Sequence, residues 1–183
     1  MKGSYAVGDD IEGFSCGSGP AGWRYVGTRA AGDSVDLTVD TSGRVLRLLV
    51  EQDGWVLRGG SAGQELVWLR GEDEHRAVAV GFAGSSPAFD LVVARMLALS
   101  VGSSQRVTLV EVCEPVAATR TVVHAWARTA CEESGVDRYE VTDLDTADRW
   151  VLHLSGEVLV SREGASDRGG LDERAPAHLL ALS

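Results

Sequence analysis

Short runs in which apolar and polar residues alternate dominate the first 82 residues of the chain. In the clearest run, Val35, Leu37 and Val39 alternate with the polar residues Asp36 and Thr38. Such alternation is typical of a half-buried β-strand, because successive side chains of a strand point to opposite faces. Further runs follow at intervals of about eight to twelve residues, separated by glycine-containing turns. This spacing predicts an antiparallel meander of the kind that builds a barrel or a sandwich.

The segment 81–102 breaks this pattern. It reads GFAGSSPAFDLVVARMLALSVG, a Gly/Ser/Pro loop followed by an apolar run whose only charged residues are Asp90 and Arg95. Ser86 before Pro87 matches a helix N-cap followed by proline at the first helical position. An apolar run inside a β-protein is either a core element or the lining of a pocket. The structure of this segment therefore bears on whether the protein binds an apolar ligand.

Two periodicities compete within residues 86–99. One apolar set would share a helical face: Phe89, Val92, Val93 and Met96. A second apolar set alternates as in a strand, and Arg95 interrupts it. The N-terminal capping pattern favours the helix, so we predict a helical insert over about 86–99.

Strand patterns resume after this insert and continue to residue 161. Residues 1–21 are rich in Gly, Ser and Asp, which predicts an irregular N-terminal lead. The Gly/Asp/Arg-rich residues 162–183 predict a flexible C-terminal tail. The predicted organisation is thus a single antiparallel β-domain over 22–161, with one helical insert and an irregular segment at each end.

Charge and cysteine content restrict the partners that the chain is expected to bind. The 183 residues carry a formal net charge of −10, which argues against nucleic acid and anionic membranes as partners. The N-terminus has no apolar signal core, and no run is long enough to span a membrane. Three widely spaced cysteines, without a CxxC pair, predict reduced thiols and no zinc site. We therefore expect a cytoplasmic protein.

Motif matches give no coherent catalytic centre. Residues 13–17 match the nucleophile elbow of α/β-hydrolases, and residues 17–22 match a dinucleotide-binding fingerprint. Both motifs require a helix directly after them, whereas the following residues have a strand pattern. His124 and His153 lie in strand patterns without a nucleophile beside them, so an acid–base pair stays an open alternative. We predict no catalytic residue, no metal ligand and no cofactor, and the balance of the sequence is against an enzyme.

The five tryptophans lie in five separate predicted elements: Trp23, Trp55, Trp68, Trp126 and Trp150. Bulky aromatic side chains either fill a β-core or line an apolar cavity with a few polar groups. The sequence leaves both interpretations open.

The segment that breaks the strand pattern also carries a family resemblance. The stretch 86–97, SPAFDLVVARML, preceded by Gly81 and Phe82, resembles a bacterial family named for glycolipid binding and largely uncharacterised. The order of the flanking elements is similar over about residues 20–160. The resemblance implies a mainly β fold, with a single curved antiparallel sheet forming a β-roll, half-barrel or barrel around the central helical segment 86–99.

We therefore expect a soluble bacterial protein that binds an apolar or amphipathic small ligand, such as a lipid or glycolipid. The ligand would lie between the curved sheet and the segment 86–99. Phe89 would contact its apolar part, and Arg95 would bind its head group, because a buried lone arginine needs a partner. The expected wall of the site is formed by three side chains: Trp68, His124 and Trp126.

The alternative is a non-enzymatic interaction module with a filled core. In that case an exposed sheet edge would pair with another protein or with a second copy of the chain, as in a homodimer.

Overall fold

The computed structural model describes residues 2–7, 10–130, 135–156 and 158–164. Within them the chain is mainly β with one short helix, and the second of two sheets curls into a half-barrel. The expected fold class, a β-roll or half-barrel around a helical segment, is confirmed. The structure adds that the strands form two sheets rather than the single sheet that was expected.

The first sheet is an antiparallel meander in which each strand pairs with the next along the chain. Its eight strands are β1 (Lys2–Val7), β2 (Asp10–Gly19), β3 (Gly22–Arg29), β4 (Ser34–Val39), β5 (Val45–Gln52), β6 (Trp55–Ala62), β7 (Glu65–Arg70) and β8 (Asp73–Ala77).

The second sheet begins where the first ends, after a three-residue link at 78–80. Its strands are β9 (Gly81–Ala83), β10 (Ser104–Cys113), β11 (Ala118–Thr129), β12 (Asp137–Asp143), β13 (Arg149–Ser155) and β14 (Val158–Glu163). Its strands pair antiparallel except for β9, which lies parallel to β10 and pairs Phe82 with Val110. Two seams therefore separate the sheets, one where β8 passes into β9 and one between the edge strands β1 and β14.

The expectation of an irregular lead over 1–21 is wrong for the described part of that segment. β2 alternates with Glu12, Phe14 and Cys16 buried, and β1 adds buried Tyr5, whose ring meets Phe14 edge-to-face at 5.2 Å. The interspersed Gly and Ser residues hide this alternation in the sequence. Pairing with β3, which places Phe14 opposite Gly27, stabilises the strand despite its weak propensity.

The start of the predicted flexible tail also belongs to the sheet. β14 continues to Glu163, so Arg162 is a strand residue rather than the first residue of a tail. Its pairing with Leu152 of β13 explains the extension. The rest of the predicted tail, 165–183, lies outside the described residues.

The helical insert is confirmed as α1, Pro87–Leu97. The Ser86 side chain accepts a hydrogen bond from the Ala88 amide at 3.3 Å, as the capping pattern predicts. Ala98, in the left-handed conformation with φ of 43°, ends the helix and donates its N–H to the Ala94 carbonyl.

The helix lies between the two sheets. It packs against β3 and β4 of the first sheet and against β9 and β14 of the second. All eight residues from Pro87 to Ala94 are buried, which explains why the run is apolar on every side. Among the described residues, no helix is long and apolar enough to cross a membrane.

Candidate functional site

A cleft of about 300 Å³ opens beside the C-terminal end of α1, at the seam where β8 passes into β9. The turns β4–β5 and β6–β7 form one wall, and the 78–80 link and the helix end form the other. Its lining residues are Ser42, Arg44, Ser61, Gly63, Gln64, Glu65, Ala79, Val80 and Met96. The cleft thus lies between the first sheet and one end of the predicted helical segment, rather than along that helix.

Gly43 sets the distance between the β4–β5 turn and the helix. Its φ is +86°, and a Cβ at this position would lie 2.7 Å from the Cα of Met96. Only glycine combines this backbone conformation with so close an approach. The turn is also held by Asp40, whose Oδ1 accepts hydrogen bonds from the amides of Ser42 and Arg44, each at 2.9 Å. The hydrogen bond from the Ser42 hydroxyl is the largest of the effects that lower the pKa of Asp40.

Arg44 bridges the two turns of the wall. Its Nη2 donates a hydrogen bond to the carbonyl oxygen of Gly63 at 2.7 Å, and the side chain is exposed. Across the cleft, Val80 is 44% exposed and the adjacent Val78 is 71% exposed. The site therefore combines an apolar side with a polar, hydrogen-bonding rim, which is the composition expected for an amphipathic ligand.

Arg95, the expected head-group residue, engages the first sheet. Its Nε donates to the Tyr25 hydroxyl at 3.0 Å, and its guanidinium carbon lies 4.0 Å from the centre of the Trp23 ring. This cation–π contact and hydrogen bond supply protein partners to the arginine in the otherwise apolar run. Burial raises the pKa of Tyr25 to about 12, although Arg95 acts in the opposite direction.

Phe89 and Trp68 are packed inside the protein. Phe89 is 3% exposed, and a Cβ at Gly84 would lie 2.6 Å from its ring, so the aromatic ring rests directly on the Gly84 backbone. Trp68 is buried, stacks on His75 at 5.6 Å and meets Phe82 edge-to-face at 6.1 Å. These contacts are those of core side chains.

His124 and Trp126 share the buried face of β11, on the second sheet. His124 lies 5.2 Å from the Trp150 ring in an edge-to-face contact, and Trp126 makes a similar contact with Tyr139 at 6.1 Å. Burial lowers the pKa of His124, because desolvation disfavours the charged imidazolium. The neutral ring therefore persists to lower pH than in a solvated histidine.

The five expected site residues thus do not converge on one site, and none of them lines the cleft. His124 and Trp126 are brought together, whereas Arg95 is directed to β3. The cleft instead uses turn residues such as Arg44 and Gln64, together with Met96 from the helix. The sequence marks the turns themselves but carries no signal for which turns lie beside the helix, because that depends on how the sheets curl.

The histidine pair considered from the sequence does not form. His124 lies on the buried face of β11, whereas His153 points to the opposite face of β13 from the buried Leu152 and Leu154. There the His153 Nδ1 lies 2.9 Å from the hydroxyl of Ser161.

A polar network that the sequence does not reveal anchors the N-terminal end of α1. Ser86 donates a hydrogen bond to Glu12 at 2.5 Å, and Arg29 bonds to Ser85 at 2.7 Å and to Glu114 at 2.5 Å. Glu12 is 2% exposed, and its burial raises its pKa. The adjoining cavity of about 10 Å³ has room for one water molecule, so this end offers no ligand site of useful size.

A second buried charge links the helix to the second sheet. Asp90 of α1 lies 3.4 Å from Nη1 of Arg162 on β14, measured from its Oδ2. The Arg162 guanidinium also lies 5.2 Å from the Trp150 ring. Burial raises the pKa of Asp90, and the attraction of Arg162 only partly opposes this effect.

The acidic residues of segment 143–148 stabilise a turn between β12 and β13. Asp143 Oδ1 accepts hydrogen bonds from the amides of Asp145 at 2.8 Å and Thr146 at 3.2 Å. Burial is the largest single effect and raises the pKa of Asp143, but these amide hydrogen bonds, the charge of His124 and the Thr146 hydroxyl together lower the pKa below its usual value. In the part of the chain that the structure describes, no group of three or more His, Cys, Asp or Glu residues is placed to hold a metal ion.

Comparisons with known proteins find a similar fold but no similar sequence family. No protein-family model and no curated protein matches the chain. Among solved structures, the fold is similar to the crystal structure, at 1.80 Å resolution, of a DUF1089 family protein from Pseudomonas aeruginosa. The TM-score is 0.57 at 14% sequence identity, over 93% of this chain and 91% of that chain. The likeness therefore concerns the fold alone.

Proposed function

We propose that the protein binds a small amphipathic ligand, of the lipid or glycolipid class, in the cleft beside the C-terminal end of α1. The observation that carries this proposal is the cleft itself, about 300 Å³ at the seam between the two sheets. Ligand pockets in proteins begin at about this volume. The proposal keeps the expected type of ligand and moves its site from the middle of the helix to its end.

The lining supports a ligand with two chemically different parts. Ala79, Val80 and Met96 offer apolar contact, and an unbranched methionine adapts to ligands of different shape. Ser61 and Gln64 offer hydrogen-bonding groups at the rim. Exposed Val78 and Val80 beside the cleft extend the apolar surface over which a short alkyl chain could lie.

Two further observations support binding rather than catalysis. The segment 86–97, which resembles the glycolipid-binding family, ends beside the cleft, although Met96 stands where that family often has a second arginine. The two strand histidines point to opposite sides of the second sheet, so they do not form an acid–base pair. The cleft itself contains no histidine or cysteine among its lining residues.

The direct test is native mass spectrometry of the purified protein, followed by titration with octyl glucoside, monooctanoylglycerol and octanoate. We expect at least one of these amphiphiles to bind with one-to-one stoichiometry. Ser61→Trp should weaken that binding about tenfold or more, because the indole would occupy the cleft. The same spectra report whether the chain is a monomer or a homodimer.

The matched control is Ser104→Trp, which places the same side chain on an exposed position of β10 away from the cleft lining. It should bind as the unmodified protein does. A protein that binds none of the three amphiphiles, or equal losses in the two tryptophan variants, would contradict the proposal.

A further inference from the structure

We propose that Arg44 is the specificity-determining residue of the cleft and that the ligand carries an oxyanion, a carboxylate or a phosphate, at its polar end. This inference rests on the proposed function, since it names the chemistry of the ligand for that same cleft. Arg44 would exchange its hydrogen bond to the Gly63 carbonyl for a charged partner on the ligand. The alkyl part would lie on the apolar side of the cleft.

The first argument is the present partner of Arg44. Within the described residues, its guanidinium hydrogen-bonds to a neutral acceptor, the carbonyl oxygen of Gly63, through Nη2. A guanidinium has five N–H donors in a planar fork, which fits the two oxygens of a carboxylate or phosphate. A charged acceptor forms a stronger hydrogen bond than a carbonyl does, so an oxyanion would compete well for this side chain.

The second argument is the way in which the nearest carboxylate is used. Asp40 precedes Arg44 in the same turn, and its Oδ1 accepts hydrogen bonds from the Ser42 hydroxyl, the Ser42 amide and the Arg44 amide. These bonds hold the turn; the charge of Arg44 is the smallest of the effects that lower the pKa of Asp40, and the guanidinium donates its hydrogen bond to Gly63. Arg47 on the following strand differs, because its Nη1 lies 3.7 Å from a carboxylate oxygen of Asp36.

The third argument concerns the other charge in the cleft. Glu65 also lines it, but the charge of Glu65 acts on Arg76, whose pKa it helps to raise after the larger effect of Glu74. An oxyanion bound at Arg44 would still be repelled by Glu65, so neutralising Glu65 should strengthen binding while neutralising Arg44 should weaken it.

The fourth argument concerns the alkyl part of the ligand. Ala79, Val80 and Met96 line the same cleft as Arg44. A ligand that placed its oxyanion on the guanidinium would extend its chain over these apolar side chains. Inorganic phosphate has no chain to make this contact, so it should bind much more weakly than an alkyl phosphate.

The test measures the affinity of octanoate, octyl phosphate, octyl glucoside and inorganic phosphate by isothermal titration calorimetry. Four proteins are compared: the unmodified chain, Arg44→Gln, Glu65→Gln and Arg47→Gln. Arg47→Gln is the matched control, since it removes the same charge from an exposed position outside the cleft lining. Melting temperatures verify that all four proteins are folded.

We expect Arg44→Gln to weaken the binding of octanoate and of octyl phosphate about tenfold. Its affinity for octyl glucoside should stay within about twofold of that of the unmodified protein. Glu65→Gln should strengthen the binding of both anions, and Arg47→Gln should leave both affinities unchanged. The inference is wrong if octyl glucoside binds as tightly as octanoate and if both affinities are the same in Arg44→Gln as in the unmodified protein. The proposed function would then still stand. If inorganic phosphate binds as tightly as octyl phosphate, the alkyl chain contributes nothing to binding, and the inference that the ligand is amphipathic is wrong. If no probe binds, both proposals fail.

Discussion

Asp90 shows how burial sets the charge of a single residue in this fold. Its carboxyl group is buried between the helix and the second sheet, with Arg162 at 3.4 Å as its ion-pair partner. Burial raises its pKa more than Arg162 lowers it. The protonated carboxyl is therefore favoured in the folded protein relative to the unfolded chain, in which the group ionises at about pH 3.9.

The stability that Asp90 contributes should therefore fall as the pH rises. The folded pKa lies above the unfolded one, so the contribution is fully present below the unfolded pKa and is lost as the pH rises through the folded pKa. We expect the free energy of unfolding, measured with urea, to decline as the pH rises above about 4, relative to that of Asp90→Asn, which cannot ionise.

The exposed turn variant Asp53→Asn is the control for loss of a surface carboxylate. It should follow the unmodified protein over the same pH range. A constant difference between the unmodified protein and Asp90→Asn at every pH would show that Asp90 does not titrate as described.

At the scale of elements, the β4–β5 turn and the helix end position each other. Gly43 lies on Met96 so closely that an added Cβ would reach 2.7 Å from its Cα. This contact fixes one wall of the cleft, and the bridge from Arg44 to the Gly63 carbonyl fixes the neighbouring turn. The wall is therefore a property of two turns and a helix end acting together.

Gly43→Ala should destabilise the protein and disturb the cleft. The alanine side chain is strained at φ of +86° and also meets the helix backbone, for a total cost of roughly 2–4 kcal/mol. Gly54→Ala is the matched control: its φ is +77°, but a Cβ there would meet no atom within 4 Å. The variants are compared by urea unfolding.

The difference between the two glycine variants isolates the contact with the helix. We expect Gly54→Ala to cost about 1 kcal/mol, the strain alone. Equal losses in the two variants would mean that the turn moves away from Met96 without cost, and the wall would then not be fixed by this contact.

Sequence patterns predicted the elements unequally, and β2 and α1 show why. The capping pair Ser86 and Pro87 is local chemistry, so it located the helix start correctly. β2 has no comparable local signal, because its exposed face carries Gly13 and Gly17 and its buried face includes the charged Glu12. Its strand structure depends on pairing with the neighbouring strands β1 and β3, which the composition of β2 does not encode.

At the scale of the whole molecule, the two sheets are closed differently at their two seams. The chain itself crosses the first seam from β8 to β9, beside the cleft. At the second seam, between β1 and β14, the Tyr5 hydroxyl accepts a hydrogen bond from the Leu159 amide at 3.2 Å. Because Tyr5 and Leu159 are both buried, this side-chain contact substitutes for a ladder bond between the two edges.

Tyr5→Phe should loosen the second seam. Removing the hydroxyl leaves the buried Leu159 amide without its acceptor, at a cost of about 1–3 kcal/mol. Hydrogen exchange measured by NMR should show faster exchange of the Leu159 amide. Tyr139→Phe is the control, because among the described residues the Tyr139 hydroxyl forms no hydrogen bond, and it should leave that amide unchanged. Unchanged exchange in Tyr5→Phe would contradict this role.

The sequence by itself determined the mainly β class, the meander of the first sheet and the position of the helix. These follow from alternation, turn residues and capping, which act over a few neighbouring residues. Only the tertiary structure decided where Arg95 finds its partner and which residues line the cleft. Arg95 meets Tyr25 and Trp23 because the helix lies against β3, and Arg44 reaches the cleft because the sheets part beside the helix end. Such contacts join residues far apart in the chain, so no local pattern specifies them.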